Sequence, residues 1–98
     1  MREILPIGTV VKLKESADVL LMITGYFPEN EKGERKEYMA VIFPLGVIEG
    51  NQYLIFYEED IKEIVFRGYE NENYETMSAL IRTSDFFKDW NKESEQEN

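Results

Sequence analysis

Carboxylates are the side chains of this sequence with the most evident capacity for chemistry. Three of them are adjacent, at Glu58, Glu59 and Asp60, and such a cluster suits a hard cation. A calcium loop, however, needs ligands at alternating positions followed by a later glutamate, and this spacing is absent here. We therefore interpret the cluster as a solvated acidic turn and predict no metal site.

The missing residue types exclude most other reaction chemistry. The chain contains no Cys and no His, which removes disulfides, thiolate nucleophiles, zinc sites and a Ser-His-Asp triad. Its six glycines are scattered, without the spacing of a phosphate loop or a dinucleotide fingerprint. The sequence therefore predicts a protein that is not an enzyme and binds no cofactor.

The charge is strongly acidic and unevenly distributed. The formal net charge is −9, and residues 49–98 carry thirteen acids against five bases. Phosphate backbones and anionic membranes would be repelled, whereas a basic protein would be attracted, so we predict a protein partner, no nucleic acid and no membrane. No apolar run approaches the roughly 18 residues of a membrane span, and the start, MREILPIG, lacks the long apolar run of a signal peptide, so a cytoplasmic location is expected.

Five short apolar runs separated by turn-forming residues predict an antiparallel sheet in an α+β fold, either an SH3-like barrel or a curled sheet. The run over Val19–Tyr26 is almost wholly apolar, which favours a central strand buried on both faces. In the loop over residues 45–51, Val47 and Ile48 are expected to fold back onto the core. The predicted strands are Thr9–Lys14, Val19–Tyr26, Tyr38–Phe43, Tyr53–Tyr57 and Ile64–Phe66.

A helical pattern follows the last strand, with Asn73 as the expected N-cap. Its apolar residues are expected to be buried against an end or a face of the sheet: Met77, Leu80, Ile81 and Phe87. A second capping signal at Thr83-Ser84-Asp85 leaves one bent helix and two short helices both open. An open five-stranded sheet backed by the helix is the alternative topology. We predict a single domain over residues 1–92 and a disordered acidic tail over residues 93–98.

Three large aromatic residues lie within five positions near the C-terminus, at Phe86, Phe87 and Trp90. One helical face suffices for a core role, so the other face is expected to stay exposed. An exposed aromatic pair on a helix is typical of a protein contact. These three residues are the candidate partner-binding site, although the pattern favours packing in the core over a protein contact.

The segments LPIGTVVKL, LMITGY, IFPLG and FYEEDIKEIVFRGY together resemble a small bacterial family classed as a domain of unknown function. The resemblance covers roughly residues 4–70. Its more specific parts are the Leu-Pro-Ile-Gly-Thr/Ser-Val start and the Asp-Ile…Val-Phe-x-Gly-Tyr end. The family occurs in Gram-positive bacteria, beside LXG-type toxins in type VII secretion loci, and its tails vary.

The resemblance implies a cytoplasmic adaptor or targeting chaperone that binds an LXG-type toxin, through the toxin's helical N-terminal region, before export. It implies no catalytic residue. An immunity protein or a regulator from a toxin locus is the alternative, because an acidic surface also suits the blocking of a basic toxin site. The pattern leaves the oligomeric state open.

Overall fold

Strands occupy the first two thirds of the chain and helices the last third. The computed structural model describes residue 1, residues 3–50 and residues 53–96. This confirms the predicted α+β fold and, of the two helical alternatives, the pair of helices. In order, the elements are β1 (Val10–Leu13), β2 (Ser16–Tyr26), β3 (Tyr38–Phe43), β4 (Tyr53–Phe56), a 3₁₀ turn (Glu58–Asp60), β5 (Ile61–Phe66), α1 (Glu72–Thr83) and α2 (Asp85–Gln96).

The five strands form one antiparallel sheet in the order β4-β3-β2-β1-β5. Its two end strands, β4 and β5, do not pair with each other, so the sheet is open rather than closed into a barrel. The three central strands come from consecutive runs that pair with their neighbours along the chain. The pairing of β5 with β1, in contrast, brings together segments that lie far apart in the sequence.

β2 occupies the centre of the sheet, as its apolar sequence predicted. Its burial alternates, however: Leu21 and Ile23 are fully buried, whereas Leu20 and Met22 keep part of their surface exposed. The predicted burial on both faces is therefore wrong. An antiparallel sheet needs only one covered face, and a continuous apolar run does not reveal how much of the second face is covered.

Tyr38 anchors the buried side of the sheet. Its hydroxyl accepts a hydrogen bond from the backbone N–H of Leu5 at 3.0 Å, and the hydroxyl of Tyr26 donates to the carbonyl of Leu5. The Tyr38 ring lies 5.8 Å from that of Phe56, and both side chains are almost wholly inaccessible to solvent. Burial raises the pKa of the Tyr38 hydroxyl above its ordinary value, so the hydroxyl stays protonated.

The segment before β1 and the end of the last strand cross at close range. The backbone N–H of Gly68 donates to Oγ1 of Thr9 at 3.0 Å. A Cβ atom at Gly68 would overlap the carbonyl oxygen of Ile7 and lie 2.9 Å from the backbone nitrogen of Thr9. Only glycine fits this crossing, because neither obstacle belongs to a flexible side chain.

The chain divides into two compact units. The sheet unit comprises Leu5–Tyr69, and the helical unit comprises Met1–Ile4 and the described residues from Glu70 onward. The predicted extent of the domain, residues 1–92, stays a prediction, as does the tail over residues 93–98. α2 is helical as far as Gln96, and residues 97–98 lie outside the described part of the chain.

Side-chain caps set the helix boundaries. Oδ1 of Asn71 accepts from the backbone N–H of Tyr74 at 2.9 Å, so the N-cap of α1 is Asn71, two residues before the predicted cap at Asn73. Ser84 separates the helices: its hydroxyl donates to the carbonyl of Ile81 at 2.6 Å and accepts from the backbone N–H of Phe87 at 3.1 Å. One residue thus ends α1 and caps α2.

The N-terminal residues of the helical unit bind to both helices. The terminal ammonium of Met1 donates to Oδ1 of Asn91 in α2 at 3.0 Å. The hydroxyl of Tyr74 in α1 donates to the carbonyl of Ile4. The start of the chain and its two helices are therefore parts of the same folded unit.

Three apolar residues expected in the core are exposed instead. Leu80 keeps 66% of its surface accessible, because it lies two positions from the buried Ser78 and hence about 200° away around the helix. Val47 and Ile48 are 63% and 50% exposed. The loop that carries them does not fold back onto the core.

Candidate protein-binding surfaces

Hydrogen bonds between carboxylates and backbone N–H groups hold the acidic turn between β4 and β5. Oδ2 of Asp60 accepts from the backbone N–H of Tyr57 at 2.9 Å, which closes the turn. The backbone N–H of Glu58 donates to Oε1 of Glu37 at 2.7 Å, and Glu37 is 4% exposed. In residues 1, 3–50 and 53–96, no three acidic side chains converge in a way that could hold a metal ion.

The free side of β4, which we call the β4 edge, is the first candidate surface. The strand Tyr53–Phe56 pairs with β3 on one side only and stands at the end of the sheet. Its sequence, YLIF, carries no charge and no proline. Tyr53 is 46% exposed and Leu54 41%, so apolar side chains reach solvent on both faces of this edge.

A groove of about 350 Å³ runs beside this strand. One wall consists of Tyr53 and Ile55, which lie on the same face of β4. The other wall is part of the loop between β2 and β3, namely Asn30, Glu31 and Lys32. The groove therefore combines an apolar wall with a polar, mixed-charge wall.

The face of the sheet that includes Tyr53 carries one apolar row across all five strands. Directly opposed residues form a row from Tyr53 through Val41, Met22 and Val10 to Phe66. Val41 and Val10 are each 6% exposed, whereas Tyr53 and Phe66 at the two ends are 46% and 63% exposed. Along this row, exposed apolar surface is thus concentrated at the two ends.

The opposite edge, β5, differs in chemistry. The strand is largely exposed, with Ile64 at 42%, Val65 at 44% and Phe66 at 63%. It also carries Lys62 and Glu63 next to these apolar residues. Its pairing with β1 is interrupted at two points by register shifts.

The predicted aromatic site lies on α2 of the helical unit. Phe86 and Trp90, one helical turn apart, stack with their ring centroids 6.2 Å apart and their planes 24° from parallel. Phe86 is 46% exposed and Trp90 is half-buried, so the pair reaches the surface. Phe87 is only 6% exposed, which leaves little of its ring available to a partner. The role of the three residues in partner binding stays a prediction.

A larger depression of about 610 Å³ lies along α1. A single helix face lines it and cannot surround a ligand, so we give it less weight than the β4 groove. Its lining residues are Glu72, Glu75, Thr76, Ala79, Leu80 and Thr83.

Comparison with known protein families identifies the family of this chain. The model of the family described as "Domain of unknown function (DUF4176)" matches residues 4–77. The chain belongs to the DUF4176 family. No curated protein and no solved structure matches it.

The DUF4176 match covers the sheet unit and the first half of α1. Phe86, Phe87 and Trp90 lie beyond its last residue, Met77. A function common to the family is therefore expected to depend on the β4 edge or another part of the matched region, rather than on the aromatic pair. The family description names no function, so the link to type VII secretion stays a prediction.

Within the described part of this DUF4176 chain, neither helix has the length and the apolar character that crossing a bilayer would require.

Sequence reasoning did not single out the β4 edge in this DUF4176 chain. The available signal was the run Tyr53–Tyr57, the one stretch of the second half with five consecutive apolar or aromatic residues and no charge. That run was interpreted as a strand. Its position at the end of the sheet depends on the strand order, which local sequence patterns do not encode.

Proposed function

We propose that this DUF4176 chain is a non-enzymatic cytoplasmic adaptor, a targeting chaperone that binds an LXG-type toxin before its export by type VII secretion. The observation that carries the proposal is the uncharged, exposed β4 edge. Tyr53 and Leu54 stand there at 46% and 41% exposure on a strand that lacks a second neighbour. Such an edge associates readily with other chains, and proteins usually protect it with charge or proline.

The charge of the chain supports a protein partner of opposite sign. With a net charge of −9, the chain attracts basic proteins and accelerates their encounter. The resemblance found in the sequence implies that the partner is the helical N-terminal region of the toxin. The aromatic pair Phe86 and Trp90, which lies on the helical unit and outside the matched region, offers a further contact.

Co-purification with an LXG-type toxin from the same organism tests the proposal. We expect a stable complex when the two full-length proteins are expressed together, and a loss of toxin export when the gene for this chain is deleted. Unchanged export from the deletion strain would refute the targeting role.

The same materials distinguish the adaptor from an immunity protein. Expression together with the isolated toxic domain should leave growth inhibited if the chain is an adaptor, because the chain would bind only the helical N-terminal region. Restored growth would instead favour immunity.

The double substitution Phe86→Ala/Trp90→Ala measures the share of the helical unit in toxin binding. We expect weaker binding with little change in melting temperature, since both rings are partly exposed. Phe87→Ala is the matched control: its ring is 6% exposed, so its loss should lower the melting temperature. A large drop in melting temperature for the double variant would place the pair in the core.

A further inference from the structure

We infer that the β4 edge binds its partner by strand addition: an extended segment, apolar at alternating positions and flanked by Lys or Arg, pairs with the backbone of Tyr53–Phe56. This inference rests on the proposed function for the identity of the partner protein, and it places the contact in an extended segment of the toxin's N-terminal region that lies beside or between its helices. It specifies which atoms of the chain make the contact and what kind of segment fits them.

Backbone geometry supplies the first argument. β4 pairs with β3 alone, so on its free side alternate residues direct their N–H and C=O groups away from the sheet. A strand laid along this side would satisfy these groups, as the added strand does in other cases of β-augmentation.

The regularity of β4 supplies the second argument. Its four pairs with β3, from Val41 opposite Tyr53 to Tyr38 opposite Phe56, follow one another without a register shift. A straight strand presents its outward groups at the spacing that an incoming strand requires. Bulges, which twist an edge away from incoming strands, interrupt the pairing of β5 but not that of β4.

The groove supplies the third argument. Alternate side chains of an added strand point to the same face, where Tyr53 and Ile55 form one wall of the 350 Å³ groove. Asn30 and Lys32 on the opposite wall would cover those side chains. The fit requires apolar residues at every second position of the segment.

Charge selects the occupant. The segment itself must be uncharged where it meets YLIF, whereas its flanks would meet a protein of net charge −9 and a groove wall that includes Glu31. Lys or Arg in the flanks would be attracted. The competing occupant is a second copy of this chain, bound through its own β4. That copy would carry the same negative charge and be repelled.

Two matched substitutions test the inference in the complex with the full-length toxin. Leu54→Lys places a charge on β4, and Ile64→Lys places the same charge on β5, where the exposed fraction of the replaced residue is almost identical, 42% against 41%. Only Leu54→Lys is expected to weaken toxin binding, by about tenfold or more. Equal effects, or a larger effect of Ile64→Lys, would overturn the inference, and circular dichroism verifies that both variants fold.

Amide hydrogen exchange locates the contact directly. Toxin binding is expected to slow exchange in residues 53–56 and to leave residues 61–66 unchanged. Protection confined to α1 and α2 would overturn strand addition while leaving the adaptor function intact. Association of the free chain in sedimentation, abolished by Leu54→Lys, would identify a second copy as the occupant and also overturn it.

A synthetic peptide separates this inference from the proposed function. The probe is Lys-Val-Thr-Val-Thr-Val-Lys, with the same composition in scrambled, non-alternating order as its control. If the toxin does not bind at all, the proposed function fails, but the alternating peptide is still expected to protect the β4 amides of the full chain. Lack of protection at millimolar peptide would refute the inference on its own.

Discussion

Both edges of the sheet expose apolar side chains, but their chemistry differs. β4 carries four uncharged residues in regular register, whereas β5 intersperses Lys62 and Glu63 among its apolar residues and pairs irregularly. Protein sheets commonly protect an edge by the devices found in β5. The contrast indicates that edge exposure alone does not mark a contact surface, and the proposed contact therefore lies at the unprotected edge.

The terminal phenylalanines of the two edge strands should differ most. Phe56 ends β4 with 2% of its surface exposed, and Phe66 ends β5 with 63% exposed. Phe56→Ala is expected to lower the free energy of unfolding by about 3–5 kcal/mol, because it leaves a cavity beside Tyr38. Phe66→Ala should cost less than about 1 kcal/mol. Urea denaturation followed by circular dichroism measures both, and similar losses would contradict the contrast.

Removal of the Tyr38 hydroxyl tests how strongly β3, the neighbour of β4, holds the backbone at Leu5. Tyr38→Phe leaves the buried N–H of Leu5 without its acceptor, which should cost about 1–3 kcal/mol. Tyr53→Phe, the same change at a residue that is 46% exposed, should stay within about 0.5 kcal/mol. A Tyr38→Phe variant as stable as Tyr53→Phe would show that this hydrogen bond contributes little.

Alkaline pH should lower the free energy of unfolding through Tyr38. Burial raises the pKa of Tyr38 above its ordinary value of 10.0, so the folded state keeps a proton that the unfolded chain loses. The stabilisation is therefore complete below pH 10 and is lost as the pH rises above it, by at most about 1.4 kcal/mol per pH unit.

Comparison with Tyr38→Phe isolates this effect from the other titrating groups. The stability difference between the natural chain and the variant should shrink between pH 10 and pH 11 in urea titrations. A difference that stays constant over this range would mean that Tyr38 titrates alike in both states.

Conversion of β5 into an edge like β4 should have the smallest effect on stability. Lys62→Thr/Glu63→Thr is expected to change the free energy of unfolding by no more than about 1 kcal/mol, in part because Glu63 lies opposite Lys12. Self-association should nevertheless increase in sedimentation. Lys88→Thr/Asp89→Thr, which removes the same two charges from exposed positions in α2, is the control. Equal association of both variants would trace the effect to charge in general.

Local patterns predicted the strands well where apolar runs had sharp ends. β3 has the predicted limits, Tyr38–Phe43, because polar residues precede it and Pro44 follows it. β2 starts at Ser16 rather than at the predicted Val19. The turn between β1 and β2 consists of Lys14 and Glu15 alone, because Ser16 already pairs with Leu13.

Long-range features escaped the sequence. Val11 meets Ile64, and no local pattern encodes a pairing across that separation. The strand order, the open sheet and the identity of the two edges all depend on such contacts. For this reason the β4 edge was not predicted as a candidate site.

Helical periodicity located the helices and the buried Phe87 but not the exposure of Leu80. On α1 the structure buries Ser78, whereas Leu80 faces solvent. On α2 the aromatic spacing correctly indicated adjacent residues, and Phe86 stacks on Trp90. Whether a partner covers that pair depends on a molecule that the sequence does not contain.

The crossing at Gly68 has a consequence for how such a protein can be engineered. The hydrogen bond from Gly68 to Thr9 brings both ends of the sheet unit to one corner. A folded unit whose two chain ends lie close together can be inserted into a surface loop of a host protein, or circularly permuted, with short linkers. The sheet unit is in this sense suited to transfer into another protein. Any residue larger than glycine at position 68 would push the two chain ends away from each other.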